Sequence, residues 1–484
     1  MAVTRFMGKI YYPLMAGRDA AGALASAVTV TNKGKEALVF CKSRVHCEEM
    51  RKGIGGILGD TDGPARIAEV YALERREVIG WPKNNKGLTF CPRTGPEVPI
   101  ALTGLRFLLF ESGVALLEMS LEMAGLALED AMNATYFLCE VKDERNHFAW
   151  EERSFDPETR TARAEPRAFS LREWFLRCTA FLPGCENFED RPLESTVSKP
   201  LLYGFYWLSE KPADFERLAA NLAQNFKASY KGVEDGRFHL FQAFENSYWC
   251  ASYNAAVNLS YAVEDAASNQ FFETAFPHKW ESEYLFLFLN TVHQKYAVLK
   301  YLAELGELAC TQYDYARMRE LLIQSEVMRE RCGLLKNRCF FELPSHVEHI
   351  NRVYSFLQWC FDIPGYLASL NAGVEGSIEV CSSYVSRIKE IEDLEEALRG
   401  ARNERYIALI TASITCLTFF GTAYETLQSL LTGQFGAVGV SGAVVTGTFV
   451  ATISGVVYNV THQRTVMNDL KEKIDFLKSK STAL

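Results

Sequence analysis

The sequence predicts an α+β protein with an N-terminal cytosolic α/β domain, a long-helix stalk and two C-terminal transmembrane helices. Three observations carry this reading. Residues 406–424, YIALITASITCLTFFGTAY, run nineteen residues without a charge, which is ~28 Å of helix and about one bilayer core. A second uncharged run covers 435–460. Ahead of both, strand-like and helical signals alternate to about residue 280 and then give way to helices alone.

Composition bounds the rest. With 484 residues, 48% hydrophobic and 23% charged, the chain is long and apolar enough for several packed domains. It is neither disordered, collagen-like nor a small disulfide scaffold. A net charge of −9 gives no basic footprint, so no nucleic-acid partner is expected. Thirteen cysteines, an odd number scattered singly from Cys41 to Cys416, read as reduced thiols facing a cytosol. The first 23 residues lack an apolar core of signal-peptide length, so the body of the chain is expected to stay in the cytoplasm.

Within residues 1–280 the clearest strands are 105–111 and 114–119, joined by a tight turn at Ser112-Gly113. Residues 201–208, 238–244 and 247–253 read likewise. Ser170 with Glu173 forms a capping box ahead of a helix, and 215–228 has a helical period. The Pro- and charge-rich stretch 156–167 reads as a loop or insertion. Beyond residue 280, helices are expected over 284–309, 313–335, 345–361 and 366–405, broken at Gly306, Pro344 and Pro364. The run YLFLFLNTV at 284–292 is too short to span a bilayer and reads as buried helix. In the last helix Ile378, Cys381, Val385, Ile388, Ile391, Leu394 and Leu398 recur at threes and fours, a coiled-coil-like seam leading into the first span. A helix of this kind is a mechanical rod.

Flanking charge orients the spans. Arg399, Arg402 and Arg405 precede the first, Arg464, Lys471, Lys473, Lys478 and Lys480 follow the second, and 425–434 between them has no Lys or Arg. The positive-inside rule then puts both termini in the cytoplasm. The expected organisation is a cytosolic α/β domain (1–280), a helical stalk region (281–405), a first span (406–431), a second span (435–460) and a basic cytoplasmic tail (461–484).

Thr411, Thr415, Thr418 and Thr422 share one face of the first span, with Glu425 continuing it. The row fits a pore lining, with hydroxyls replacing part of an ion's hydration and a carboxylate ring at the outer mouth. It equally fits a packing face whose hydroxyls bond their own backbone. Gly439, Ala443, Gly447, Ala451 and Gly455, every fourth residue of the second span, form a small-residue ladder for close helix packing. The second span is thus expected to pack on the first and the chain to assemble with itself. Enzyme signals are poor. Gly53, Gly55 and Gly59 miss the dinucleotide fingerprint, and no phosphate-binding GxxxxGK[ST] loop exists. His346 and His349 follow Ser345, whose capping box with Glu348 explains the local polarity better than a metal would. His46 beside Cys41 and Cys47 reads as coincidence. No enzyme activity and no metal site are expected.

In layout the chain resembles the CorA family of divalent-cation channels. The resemblance rests on the order of an α/β domain, a helical region, a long helix into the first of two C-terminal spans, a very short outer loop and a basic tail, over residues 100–484. It implies a homopentamer in the bacterial inner membrane with the first span lining the pore. The family's Gly-Met-Asn motif is replaced here by Gly421-Thr422-Ala423. The larger cytosolic part is similar to CorA-like membrane effectors of type III CRISPR systems. That similarity implies an antiviral channel opened by a small anionic nucleotide, such as a conjugate of S-adenosylmethionine with AMP. The alternatives are a divalent-cation transporter with an altered filter, and a membrane-anchored scaffold.

Overall fold

The structure, a computed structural model, describes residues 2–17, 19–26, 28–30, 36–38, 40–45, 47–51, 54, 57–58, 66–74, 87–156, 161–186, 199–230, 239–307, 315–431 and 438–482. These residues form a mixed α/β N-terminal unit and a C-terminal bundle of long helices. Met1–Glu307 with Met328–Gly373 makes one compact unit, and Leu308–Val327 with Val374–Leu484 the other.

The strands of the first unit are β1 (Ala2–Met15), β2 (Val28–Val30), β3 (Glu36–Leu38), β4 (Phe40–Ser43), β5 (Ala68–Leu73), β6 (Thr89–Cys91), β7 (Val98–Pro99) and β8 (Ala101–Phe110). After them come β9 (Val114–Ala127), β10 (His147–Asp156), β11 (Thr161–Ser170), β12 (Leu201–Leu208), β13 (His239–Phe244), β14 (Ser247–Ala251) and β15 (Ala255–Tyr261). Nine of them make one sheet in the order β13-β14-β15-β12-β1-β9-β8-β5-β4, antiparallel except where β12 runs parallel to β15.

Both faces of this sheet are covered. On one side Tyr12 of β1 meets Trp174 and Phe175 of α3 (Leu171–Thr179), at ring separations of 5.6 and 5.3 Å. Its hydroxyl donates to Leu138 at the end of α2 (Leu128–Leu138); α1 (Ala20–Ser26) and α4 (Phe215–Ala223) pack into the same core. On the other side Tyr11 and Tyr203 meet Phe288 of α7 (Leu285–Glu307), and Tyr203 stacks on Trp280 at 4.5 Å. Double coverage makes the central strands apolar throughout rather than alternating. The expected buried helix is confirmed, with every residue from Leu285 to Val298 buried.

The expected strands at 105–111, 114–119, 201–208 and 247–253 are present, as is the helix Ser170 caps by accepting from Glu173 N at 3.0 Å. Three details differ. Of the stretch read as a loop at 156–167, Asp156 and residues 161–167 are strand, and 157–160 lie outside the described residues: β11 pairs with β10 across ten positions, Pro166 facing Glu151. Pro166 is tolerated because β11 is the edge of its four-stranded sheet, β11-β10-β6-β7, where a missing N–H breaks no ladder. Helix begins well before residue 280, in α5 (Ala266–Gln270), a π turn at Phe271–Ala275, α6 (Phe276–Lys279) and a π turn at Trp280–Tyr284. The Ser345/Glu348 capping box does not form. Ser345 Oγ donates to Glu49 O at 2.6 Å and accepts from Val347 N, so α9 (Glu348–Cys360) starts three residues later.

In the second unit the start of α8 (Tyr315–Cys339) packs Met318 and Leu321 on Cys381 and Tyr384 of α10 (Ile363–Leu431). Cys381 and Ile391 of the predicted seam are buried. α10 is unbroken for 69 residues, Pro364 in its first turn included, where proline costs nothing. Among the described residues it is the one helix long and apolar enough to cross a membrane, with a mean hydropathy of 1.6 over its most apolar window. α11 (Val438–Thr482) follows. Residues 432–437, and the side chains of Gly439 and Ala443, lie outside what is described, so the second expected span is covered only in part.

Candidate functional site

The first unit holds a cavity of about 600 Å³ at the β8–β9 turn. Gly113 there adopts φ +80, and a Cβ on it would collide with the Lys300 ammonium. The turn and α7 are thereby held against each other. Lys300 Nζ donates to Ser112 O at 2.7 Å. Ser112 Oγ lies 2.9 Å from Nε2 of His293, whose ring stacks on Phe110 at 4.1 Å and 7°. His293 is 2% exposed, and its Nδ1 is buried with no hydrogen-bond partner.

Four cations and three carboxylates line the cavity. Arg66 pairs with Glu69 at 2.6 Å, Arg331 of α8 with Glu304 at 3.2 Å, and Arg338 of α8 with Glu111. Lys300 reaches Glu304 at 3.8 Å, and burial lowers its pKa. The lining therefore keeps one positive charge in excess. Ser112 and His293 have the spacing of a nucleophile and its base, but burial holds the imidazole pKa down to about 3. With no group orienting Nδ1, this is a poor general base.

That burial has a consequence for stability. The unfolded chain takes up a proton on this imidazole near pH 6.5 and the folded protein only near 3, so its contribution is full above pH 6.5 and lost as pH falls toward 3. The slope is ~1.4 kcal/mol per pH unit. His293→Gln should therefore flatten the fall in stability between pH 6.5 and 5 by roughly 2 kcal/mol, read from urea unfolding at both pH values. An unchanged slope would show that water reaches the ring.

In the second unit the threonine row lies on α10 as the spacing predicted. Each hydroxyl bonds back to its own helix: Thr411 to Ile407 O at 2.9 Å, Thr415 to Thr411 O at 2.9 Å, Thr418 to Ile414 O at 3.0 Å and Thr422 to Thr418 O at 3.0 Å. The proton is used locally, which leaves an oxygen lone pair on each side chain able to face a cation. Thr411, Thr418, Thr422 and Glu425 are exposed and Thr415 half-buried.

α11 runs back along α10. Phe419 stacks on Phe449 at 3.9 Å, Gln463 donates to Glu404 at 2.5 Å, and Lys478 pairs with Glu395 at 2.8 Å. This register sets residues 446–461 beside 406–421, both without charge. Gly447 and Gly455 have nothing within 4 Å of where a Cβ would stand. Within one chain these two positions of the ladder do not touch α10.

No local motif marks the Ser112–His293 pair, whose members lie 181 residues apart. His349 packs against the Phe244 ring at 5.3 Å. His46, Gly53, Gly55 and Gly59 lie outside the described residues, among which no group of three His, Cys, Asp or Glu side chains could hold a metal. Compared with protein-family models, curated proteins and solved structures, the chain matches none.

Proposed function

We propose that the chain is a subunit of a homo-oligomeric membrane channel of CorA-like layout, opened by a small anionic ligand on its cytosolic α/β unit. One observation carries the reading. α10 begins inside that unit and continues without a break into an apolar segment bearing a threonine row. A continuous helix transmits rotation and tilt along its length, and a ligand opens a pore only through a difference in affinity between closed and open states.

The antiparallel register of α10 and α11 supports a hairpin that crosses twice, with both termini in the cytoplasm. Ile407, Ile410, Ile414, Leu417 and Phe420 are each more than half exposed on the single chain. Side chains of this kind call for lipid or further copies. The open faces of Gly447 and Gly455 suit close helix approach between subunits. The pentameric number, the bacterial inner membrane and a role in antiviral defence come from the resemblance in layout.

Single-channel recording in planar bilayers tests the pore. Glu425→Gln should lower cation conductance chiefly at low salt, where the Debye length is about 30 Å at 0.01 M, and little at 1 M, where it is about 3 Å. Thr418→Val keeps the shape but removes the oxygen, and should reduce flux at every salt concentration. Unaltered conductance in both variants would leave α10 as an anchor and end the channel reading.

A further inference from the structure

The cavity at the β8–β9 turn is lined by ion pairs that a ligand could replace. Arg331 and Arg338 lie seven residues apart, two turns on one face of α8. Their carboxylate partners come from elsewhere: Glu304 from α7 and Glu111 from the β8–β9 turn. These pairs are partly exposed, with the arginine side chains 52% and 40% accessible. Exposed pairs contribute little to stability. Guanidinium groups bind phosphate in the same two-pronged geometry that they use for carboxylate, and more favourably as the anion's charge rises.

Beneath them Lys300 adds a third cation. Ser112 adds a hydroxyl, and neutral His293 carries a nitrogen that is buried and unpartnered within the protein.

We propose that this cavity binds a small polyphosphate-bearing molecule, whose anionic groups take Arg331 and Arg338 away from Glu304 and Glu111. The exchange frees α8 from α7 and from the β8–β9 turn. At its other end the same 25-residue helix packs Met318 and Leu321 on Cys381 and Tyr384 of α10. α8 is thus the lever between ligand and long helix. As a gating mechanism this rests on the channel reading; as a binding site it does not.

Calorimetric titration of the full chain in detergent with inorganic tripolyphosphate tests it. Arg331→Gln with Arg338→Gln should weaken binding by tenfold or more, roughly the loss of one charge-assisted hydrogen bond. Glu111→Gln with Glu304→Gln removes the internal competitors and should tighten binding several-fold. This opposite sign separates ligand exchange from damage to the fold. Arg93→Gln, at a remote surface groove, should change nothing. The proposal is overturned if the wild-type protein does not bind tripolyphosphate, if the arginine variant binds equally well, or if the glutamate variant binds more weakly. Binding with these signs but without ion flux would retain the site and remove the channel.

Discussion

Glu118→Gln is expected to destabilise the α/β unit by about 3–5 kcal/mol, the usual cost of removing one partner from a buried ion pair. Glu118 is fully buried in β9. It accepts from Arg106 Nε and Nη2 at 2.9 and 2.8 Å, from Tyr11 at 2.8 Å and from Ser120 at 2.7 Å. Lys9 lies 3.5 Å away. Burial alone would raise its pKa, but Arg106 and Lys9 outweigh this and hold it at about 2. The carboxylate's contribution is therefore present above about pH 4.5 and lost as pH falls toward 2.

Glutamine keeps the shape, so no cavity confounds the result; what remains is Arg106 without its paired carboxylate and Lys9 with only the half-exposed Glu281 at 3.5 Å. All seven tryptophans lie within Met1–Glu307 or Met328–Gly373, so tryptophan fluorescence during urea unfolding reports on this unit. Glu118→Leu combined with Arg106→Met, Lys9→Met and Tyr11→Phe should regain most of the loss, because it leaves neither a buried charge nor the buried Tyr11 hydroxyl without a partner. A loss below about 1 kcal/mol in Glu118→Gln would place the network in contact with water.

The same strands show where sequence reading succeeds and where it stops. β8 and β9 were legible because Ser112-Gly113 interrupts two apolar runs and only glycine suits φ +80 there. β1 was not. It lies at the centre of the sheet with both faces covered, so its residues do not alternate, and Pro13 sits opposite Leu116 in the ladder. Pro166 misled in the opposite way, since an edge strand keeps a proline that a central strand would seldom tolerate. Identical letters also gave different outcomes. Ser170 caps its helix, whereas Ser345 spends its hydroxyl on Glu49, 296 residues away.

α10 was legible because a charge-free run needs no tertiary partner to be recognised. The cavity was not, because it assembles from β8–β9, α7 and α8. Only the pair Arg331 and Arg338, seven apart on one helical face, could have hinted at it.

Inserting Gly-Gly after Gly400 should abolish tripolyphosphate-stimulated ion efflux from reconstituted vesicles while leaving tripolyphosphate binding unchanged. Two extra residues turn everything beyond them by about 200° and advance it by about 3 Å. The glycines weaken the helix by roughly 1 kcal/mol each. The insertion also falls between Glu395, which pairs with Lys478, and Glu404, which pairs with Gln463, so both contacts cannot persist in one register. The cavity lies wholly within the first unit and does not include this segment. Gly400→Ala is the opposing control. No atom lies within 4 Å of its new Cβ, and alanine should stiffen the helix by about 0.5–1 kcal/mol, so efflux should persist or increase. If the insertion variant opens normally, α10 is not the coupling element. If Gly400→Ala also abolishes opening, the segment works as a hinge and not as a rod.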